Sequence, residues 1–170
     1  MKVFSGRKFE VHVDKVVLPN HRERTVEYVK HRGSVVLIPM LHEDEIVMIY
    51  QYRPVIGKWI YELPAGTMEE GEDPLATAKR ELIEETGYEA TSLTELLSFY
   101  PSPGITNEIM HIYLARDLRY VGAKPEEYEV IEVKPMKFNE IESLIMDGTI
   151  QDGKTVLGIL YLKNKGIPNL

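Results

Sequence analysis

Near the N-terminus, apolar and polar residues alternate, which is the pattern of half-buried β-strands. Phe9–Val17 shows this alternation most clearly, and residues 25–31 resume it after a turn at Pro19 and Asn20. Successive side chains of a strand point to opposite faces, so a period of two indicates strands that cover one face. We therefore expect an N-terminal antiparallel β-hairpin that ends at Gly33.

Six further segments are predicted as strands because they are rich in β-branched and aromatic residues and most are bounded by Gly, Pro or Asp. They cover residues 34–40, 46–52, 59–63, 93–99, 109–115 and 128–133. A helix is predicted at Pro74–Thr86. Asp73 is a good N-cap, proline suits the first helical position, and Gly87 suits the left-handed residue after a helix.

Two more helices are predicted after the strands. The first follows Asn139 as its cap, supported by Glu142 three residues later, and ends before Gly148. The second lies between Asp152 and Lys165. Strands and helices that do not alternate strictly predict an α+β fold in which helices cover a mixed sheet.

Composition narrows the class of protein. The 170 residues are 44% apolar, which fits one compact domain, and the chain has no cysteine. No segment approaches the roughly 18 apolar residues of a membrane span, and no apolar signal segment follows Met1. We therefore expect no membrane partner and a cytoplasmic location.

The negative charge of the chain is concentrated in one region. The formal net charge is −7, and residues 62–89 alone contain nine acidic and two basic residues. The remainder is balanced and has no basic stripe, so we expect no nucleic-acid partner, because phosphate binding needs clustered Lys and Arg.

Three glutamates of the first predicted helix share one face. Glu81, Glu84 and Glu85 stand at i, i+3 and i+4, where like charges repel by a few tenths of a kcal/mol per pair. The spacing alone is compatible with a solvated acidic face or with a site for a hard divalent cation. An EF-hand is disfavoured because the preceding loop lacks its alternating ligands, and the scattered histidines disfavour zinc.

A longer motif decides between these readings. The segment GTMEEGEDPLATAKRELIEETGY resembles the Nudix box, Gx5Ex7REUxEExGU, in which U is a bulky apolar residue. Only the last position departs, where Tyr88 replaces an aliphatic residue. The matching residues are Gly66, Glu72, Arg80, Glu81, Leu82, Glu84, Glu85 and Gly87.

The resemblance implies a Nudix hydrolase with an α/β/α sandwich fold. Such enzymes cleave a nucleoside diphosphate linked to another group, using Mg²⁺ or Mn²⁺. It implies Glu81, Glu85 and the carbonyl of Ala65 as metal ligands. Arg80 and Glu84 are implied as catalytic residues, Glu84 as a ligand or as the partner of one and Arg80 as a brace of the loop through an ion pair with Glu72.

Two segments outside the box resemble the ADP-ribose pyrophosphatase branch. One contains Ser102, Pro103, Gly104 and Glu108, similar to an SPGxTxE signature. The other comprises the sequences QYR and ELPAG, in which the resemblance implies that Arg53 contacts a substrate phosphate. The resemblance therefore adds these five residues as substrate-binding candidates.

The general base is expected in the acidic segment KPEEYE, at residues 124–129. Alignment of the following strand with the family makes Glu127 the base and Glu129 an additional metal ligand, whereas a shift of one residue would make Glu126 the base. Proton abstraction needs a carboxylate near the metal that is not saturated by it.

The N-terminal strands also resemble that branch, in which they exchange between subunits and help to form the adenine pocket. Phe4, Phe9 and Tyr28 are candidates for stacking on a base, although aromatic residues in strands more often belong to a core. We expect residues 1–32 to form a dimerisation region, residues 33–170 to form the Nudix domain, and the protein to be a homodimer.

The resulting hypothesis is hydrolysis of ADP-ribose to AMP and ribose 5-phosphate by attack of water. Another Nudix specificity, for a nucleotide sugar or a dinucleoside polyphosphate, would share the box. A non-catalytic Nudix-like binding module is disfavoured because such modules typically lose box carboxylates, and all of these are present.

Overall fold

The computed structural model describes residues 1–125 and 127–166. Within them, three helices and ten strands follow one another along the chain. None of these helices is long and apolar enough to cross a membrane. The helices are α1 (Pro74–Thr86), α2 (Phe138–Met146) and α3 (Gly153–Asn164), and the strands are β1 (Lys2–Ser5), β2 (Phe9–Val17), β3 (Glu23–His31), β4 (Ser34–His42), β5 (Glu45–Arg53), β6 (Lys58–Glu62), β7 (Ala65–Thr67), β8 (Tyr88–Phe99), β9 (Met110–Tyr120) and β10 (Ile131–Lys137).

A seven-stranded mixed sheet forms the centre of the protein. Its strands run in the order β10-β5-β4-β9-β8, with β6 beside β5 and β7 beside β4. The β4–β9 pair is parallel and its other pairs are antiparallel. Leu37 and Leu82 belong to the core on the α1 side, whereas Ile38 and Ile159 belong to the core on the α2 and α3 side. This arrangement confirms the expected α/β/α sandwich with a mixed sheet.

Helix α1 begins and ends where the sequence predicts. The Asp73 side chain accepts hydrogen bonds from the backbone N–H groups of Leu75 and Ala76, and Gly87 is left-handed with φ 77°. A side chain at Gly87 would also meet the backbone of Ala123, because a Cβ there lies 2.6 Å from the Ala123 nitrogen. Glycine is therefore required both by the turn and by the close approach of the chain.

Several sequence-based boundaries are wrong. Strands β8 and β9 are longer than predicted, because they pair with each other over residues 88–99 and 110–120. Helix α2 begins at Phe138, so Asn139 is not its cap, and Lys137 precedes the helix without a side-chain cap hydrogen bond. Burial of Phe138 against the core outweighs the local capping signal. Strand β10 starts at Ile131 rather than at residue 128 and continues to Lys137, because its pairing with β5 extends over that whole length.

The N-terminal region has one strand more than the predicted hairpin. β1, β2 and β3 form a separate three-stranded antiparallel sheet. Asn107 joins it to the rest of the chain: its side-chain amide donates to the carbonyl of His31, and its side-chain oxygen accepts from the N–H of the same residue. Val29 pairs with Thr106 in a parallel bridge beside it. The division into residues 1–32 and 33–170 stays a prediction.

Candidate functional site

A cleft of about 840 Å³ lies between the N-terminal sheet, strand β7 and the start of helix α3. It brings together residues that are far apart in the sequence. Of the predicted site residues, those that line it are Ala65, Arg53, Arg80, Glu81, Glu108 and Glu129.

Helix α1 packs against strand β7 at Gly66, where any side chain would displace the Glu81 carboxylate from its observed position. A Cβ built on Gly66 would lie 1.9 Å from the carboxyl carbon of Glu81. The absent side chain therefore allows the Glu81 carboxylate to lie directly against the strand. Burial raises the pKa of Glu81 to about 7, and Arg80 only partly opposes this.

Glu85 is more deeply buried, with 3% of its surface exposed. One of its carboxylate oxygens accepts a hydrogen bond of 2.8 Å from the N–H of Ala65. Burial raises the pKa of Glu85 well above its ordinary value, and the negative charges of Glu81 and Glu129 raise it further. Glu85 therefore interacts electrostatically with Glu81 and Glu129, which line the cleft, although it does not line the cleft itself.

The Arg80 guanidinium donates hydrogen bonds to three carboxylates. It donates to Glu72 at 2.9 and 3.0 Å, to Glu81 at 2.7 Å and to Glu84 at 2.9 Å. The ion pair with Glu72 implied by the resemblance is thus present. Hydrogen bonding from Arg80 lowers the pKa of Glu72 to about 2. An arginine, whose planar guanidinium has several N–H donors, suits simultaneous binding of three carboxylates better than a lysine does.

The donor set at α1 fits a hard divalent cation in its chemistry. Carboxylate and carbonyl oxygens are the ligands that Mg²⁺ and Mn²⁺ prefer, and a cation would favour the ionised form of acids whose pKa burial has raised. Across residues 1–125 and 127–166, however, no three His, Asp or Glu side chains stand as a ready-made metal cluster. Glu81 is engaged with Arg80, and Glu85 with Ala65.

Arg53 lines the cleft and is held by a buried acid. Its Nε and Nη2 donate to the two carboxylate oxygens of Glu62 at 2.6 and 2.7 Å, and Lys154 contacts the same carboxylate. Burial raises the pKa of Glu62, but the two cations outweigh it and keep the pKa below its ordinary value. This pairing connects strands β5 and β6 with helix α3.

Only part of the segment that resembles the SPGxTxE signature lines the cleft. Ser102, Pro103 and Gly104 form a turn that does not line the cleft, and the Ser102 carbonyl accepts from the N–H groups of the two residues after this turn. Glu108 does line the cleft. It accepts a hydrogen bond of 2.5 Å from the Ser34 hydroxyl and lies 3.4 Å from Nδ1 of His31.

The acidic segment before β10 places its glutamates differently. Glu129 lines the cleft, whereas Glu127 is exposed in a turn and does not. Glu126, the alternative base, lies outside the described residues. Glu84 contacts Arg80 but is not among the lining residues.

Sequence reasoning missed several residues of the cleft. Lys154 and Asp152 enter it from the start of α3, and Ser34 and His31 enter it near Glu108. The only local signal was the capping role of Asp152, which predicts a helix start and no functional role. Their relation to the Nudix box depends on the tertiary fold.

Comparison with known protein families identifies residues 30–157 as a NUDIX domain. Because this match covers most of the chain, the chain belongs to the Nudix family. A solved structure described as an ADP compounds hydrolase has the same fold, with a TM-score of 0.82 at 22% identity over 98% of this chain and 90% of that one.

The curated relatives support the branch as well as the family. An ADP-ribose pyrophosphatase of Bacillus subtilis is 40% identical over 96% of this chain and 90% of its own length. A methanol dehydrogenase activator of Bacillus methanolicus is 42% identical over 95% and 89%, respectively. An ADP-ribose pyrophosphatase of Mycobacterium tuberculosis is 33% identical over 92% and 77%. The resemblance to Nudix hydrolases of the ADP-ribose pyrophosphatase branch is confirmed, and the protein is an enzyme of that family.

Without divalent cations, the protein should lose stability as the pH rises from 5 to 8. The pKa of Glu81 rises on folding from 4.5 to about 7, so between these values the folded protein binds more protons than the unfolded chain. The free energy of unfolding then falls with rising pH, by up to about 3 kcal/mol from this residue. Glu85 acts in the same direction. Urea unfolding in EDTA at several pH values measures the loss.

Glu81→Gln provides the control for this prediction. The variant lacks the titrating group, so its loss of stability between pH 5 and pH 8 should be smaller than that of the wild type. Equal losses in the two proteins would contradict the assignment to Glu81.

Proposed function

We propose that this protein hydrolyses the diphosphate of ADP-ribose to AMP and ribose 5-phosphate with the help of Mg²⁺ or Mn²⁺. The observation that carries the proposal is that Glu81 and Arg53 line a single cleft, while the buried Glu85 interacts electrostatically with both. Acids whose pKa is raised by burial, beside a guanidinium, suit a cation and a phosphate together. The ADP-ribose pyrophosphatases among the relatives support this choice of substrate.

In this proposal, each residue has a distinct role. Glu81, Glu85, Glu129 and the carbonyl of Ala65 hold the cation. When bound, the cation offsets the negative charge of the diphosphate and polarises phosphorus for attack. Arg80 keeps Glu81 and Glu84 oriented through its hydrogen bonds. Arg53 binds a phosphate, and Glu108, with the turn at Ser102–Gly104, contributes to recognition of the rest of the substrate.

The reaction is a hydrolysis without a covalent intermediate. The oxygen of a water molecule bonds to one phosphorus while the bridging P–O bond breaks, and the base accepts the proton that the water releases. We assign this base to Glu127. Its place in an exposed turn beside the cleft residue Glu129 suits a group that approaches the substrate only after binding.

Other substrates of the same class define the alternative. Among the relatives are GDP-mannose pyrophosphatases at 29–30% identity, and the methanol dehydrogenase activator bears a name that states no substrate. The proposal is therefore tested with a panel of ADP-ribose, ADP-glucose, GDP-mannose and NADH in the presence of Mg²⁺. Preferred turnover of ADP-ribose supports it, and preferred turnover of another compound would replace it. The cytoplasmic location stays a prediction from the sequence.

Glu85→Gln should lower kcat for ADP-ribose by about a hundredfold or more, because a neutral amide is a weaker ligand for the cation than a carboxylate. Glu84→Gln should lower it in the same direction. Steady-state kinetics across a Mn²⁺ titration measures both effects.

Glu89→Gln is the matched control, since Glu89 belongs to the same acidic region but pairs with Arg119. It should retain turnover. Near-normal turnover in both the Glu84 and Glu85 variants, with folding verified by circular dichroism, would refute the metal site.

Glu127→Gln should lower kcat for ADP-ribose, since an amide cannot accept the proton from water. Glu129→Gln should instead raise the Mn²⁺ concentration needed for half-maximal rate. If Glu127→Gln behaves as the wild type does, the base lies elsewhere in the segment, with Glu126 the next candidate.

We expect the protein to form a homodimer through its N-terminal sheet. Phe4 and Phe9 pack together there and remain 52% and 43% exposed, and both exposed fractions are large for phenylalanine. Light scattering at micromolar concentration should give twice the mass of the chain, and Phe4→Asp should weaken the association. A monomeric wild-type mass would contradict this prediction.

A further inference from the structure

Four charged residues of alternating sign connect helix α3 with the cleft. Asp152, the N-cap of α3, contacts Lys154 at 2.8 Å. Lys154 contacts Glu62 at the end of β6, and Glu62 holds Arg53 through both carboxylate oxygens. Glu62 is 1% exposed and the Lys154 side chain 10% exposed. Such depth is unusual for a Glu–Lys pair, because desolvation of the two charges must be offset by their contacts.

Hydrogen bonds of the Thr155 hydroxyl hold Lys154 near Glu62. Thr155, the next residue on α3, accepts a hydrogen bond of 2.8 Å from the N–H of Leu63, the residue after Glu62. The Thr155 hydroxyl in turn donates to Asp152 at 2.6 Å. Two neighbouring residues of α3 thus contact two neighbouring residues at the end of β6 and just after it, so the lysine has little freedom to leave.

Glu62 contacts both Arg53 and Lys154, and this affects how many hydrogen-bond donors Arg53 has available for the cleft. The Nε and Nη2 atoms of Arg53 donate hydrogen bonds to Glu62, so these two donors face the protein. A guanidinium has five N–H donors, so donors remain on Nη1. Lys154 also contacts the carboxylate oxygen that Nη2 uses, and it compensates part of the charge of Glu62 that would otherwise neutralise Arg53.

We propose that Lys154 is a positioning residue for binding of the substrate diphosphate, which acts through Glu62 to hold the Arg53 guanidinium at the cleft with donors available for a phosphate. This inference rests on the proposed function, in which Arg53 binds a phosphate. Without Lys154, Glu62 would be matched by Arg53 alone, and the guanidinium would turn toward the buried acid. Phosphate affinity would fall, while the chemistry at α1 would continue.

Lys154→Met removes the charge but retains most of the side-chain length. We expect it to raise KM for ADP-ribose about tenfold with kcat within about twofold, which is the pattern for loss of a contact made equally in the ground state and the transition state. Lys154→Arg should restore most of the affinity. Lys163→Met is the matched control and should leave KM unchanged, because Lys163 is on the same helix but is exposed and paired with Glu142.

A double-mutant cycle tests whether the effect passes through Glu62. Glu62→Gln should raise KM by a similar factor, and Lys154→Met added to it should cause little further change, because the lysine then has no carboxylate to share. The double variant also avoids an unpaired buried carboxylate, so it should fold. Multiplicative effects of the two substitutions on KM would overturn the proposal, as would a Lys154→Met variant that lowers the thermal midpoint without changing KM.

Failure of the proposed function gives a different result. Wild-type turnover in the substrate panel tests that function independently. If the wild type does not hydrolyse ADP-ribose, titration calorimetry with ADP-ribose on the same variants measures Kd in place of KM. A Kd unchanged by Lys154→Met would overturn the positioning role, and a coupled rise in Kd would support it.

Discussion

The cost of removing carboxylates from water is the constraint to which the cleft is adjusted. Glu81 and Glu85 are buried against β7, where burial raises the pKa of both. The protein compensates them only in part, through the Arg80 guanidinium and the Ala65 N–H. Even this arrangement requires a glycine at position 66, since the Glu81 carboxylate occupies the space of a side chain there. The strand, the helix and the charges therefore depend on one another.

Glu62 shows the opposite solution to the same problem. It is as deeply buried as Glu85, yet two internal cations keep its pKa low. The negative charge of Glu62 is compensated within the protein, whereas the charges of Glu81 and Glu85 are compensated only in part. This difference supports the proposal that α1 receives a cation from solution and that Glu62 serves a neighbouring arginine. The acidic excess of residues 62–89 thus contains two kinds of carboxylate.

Local signals in the sequence account for the parts of the fold that were predicted well. The cap, the first-position proline and the terminal glycine of α1 all act within that helix, so both its ends were predicted correctly. The start of α2 was not, because burial of Phe138 decided it. The start of β10 depends on pairing with β5, which no local pattern contains. Strands of three or four residues, such as β1 and β7, are too short to show a period.

The same distinction applies to the site. The Nudix box specifies one helix and its loop, so a single segment was enough to predict that Glu81 and Glu85 share a helix face and that Arg80 pairs with Glu72. Lys154 lies 92 positions from Glu62, and Ser34 lies 74 positions from Glu108. Contacts of this kind arise from the order of strands in the sheet. One sequence without its fold gives no reason to pair these residues.

The double connection between α3 and the end of β6 has a mechanical consequence. Lys154 and Thr155 hold Glu62 and Leu63, and Glu62 holds Arg53. The first turn of α3 is therefore linked directly to the β5–β6 hairpin, and a rotation of α3 would displace the arginine with it. Substitutions in the apolar face of α3, whose residues Ile159 and Leu162 belong to the core, are thus able to change the shape of the cleft without altering any residue that lines it.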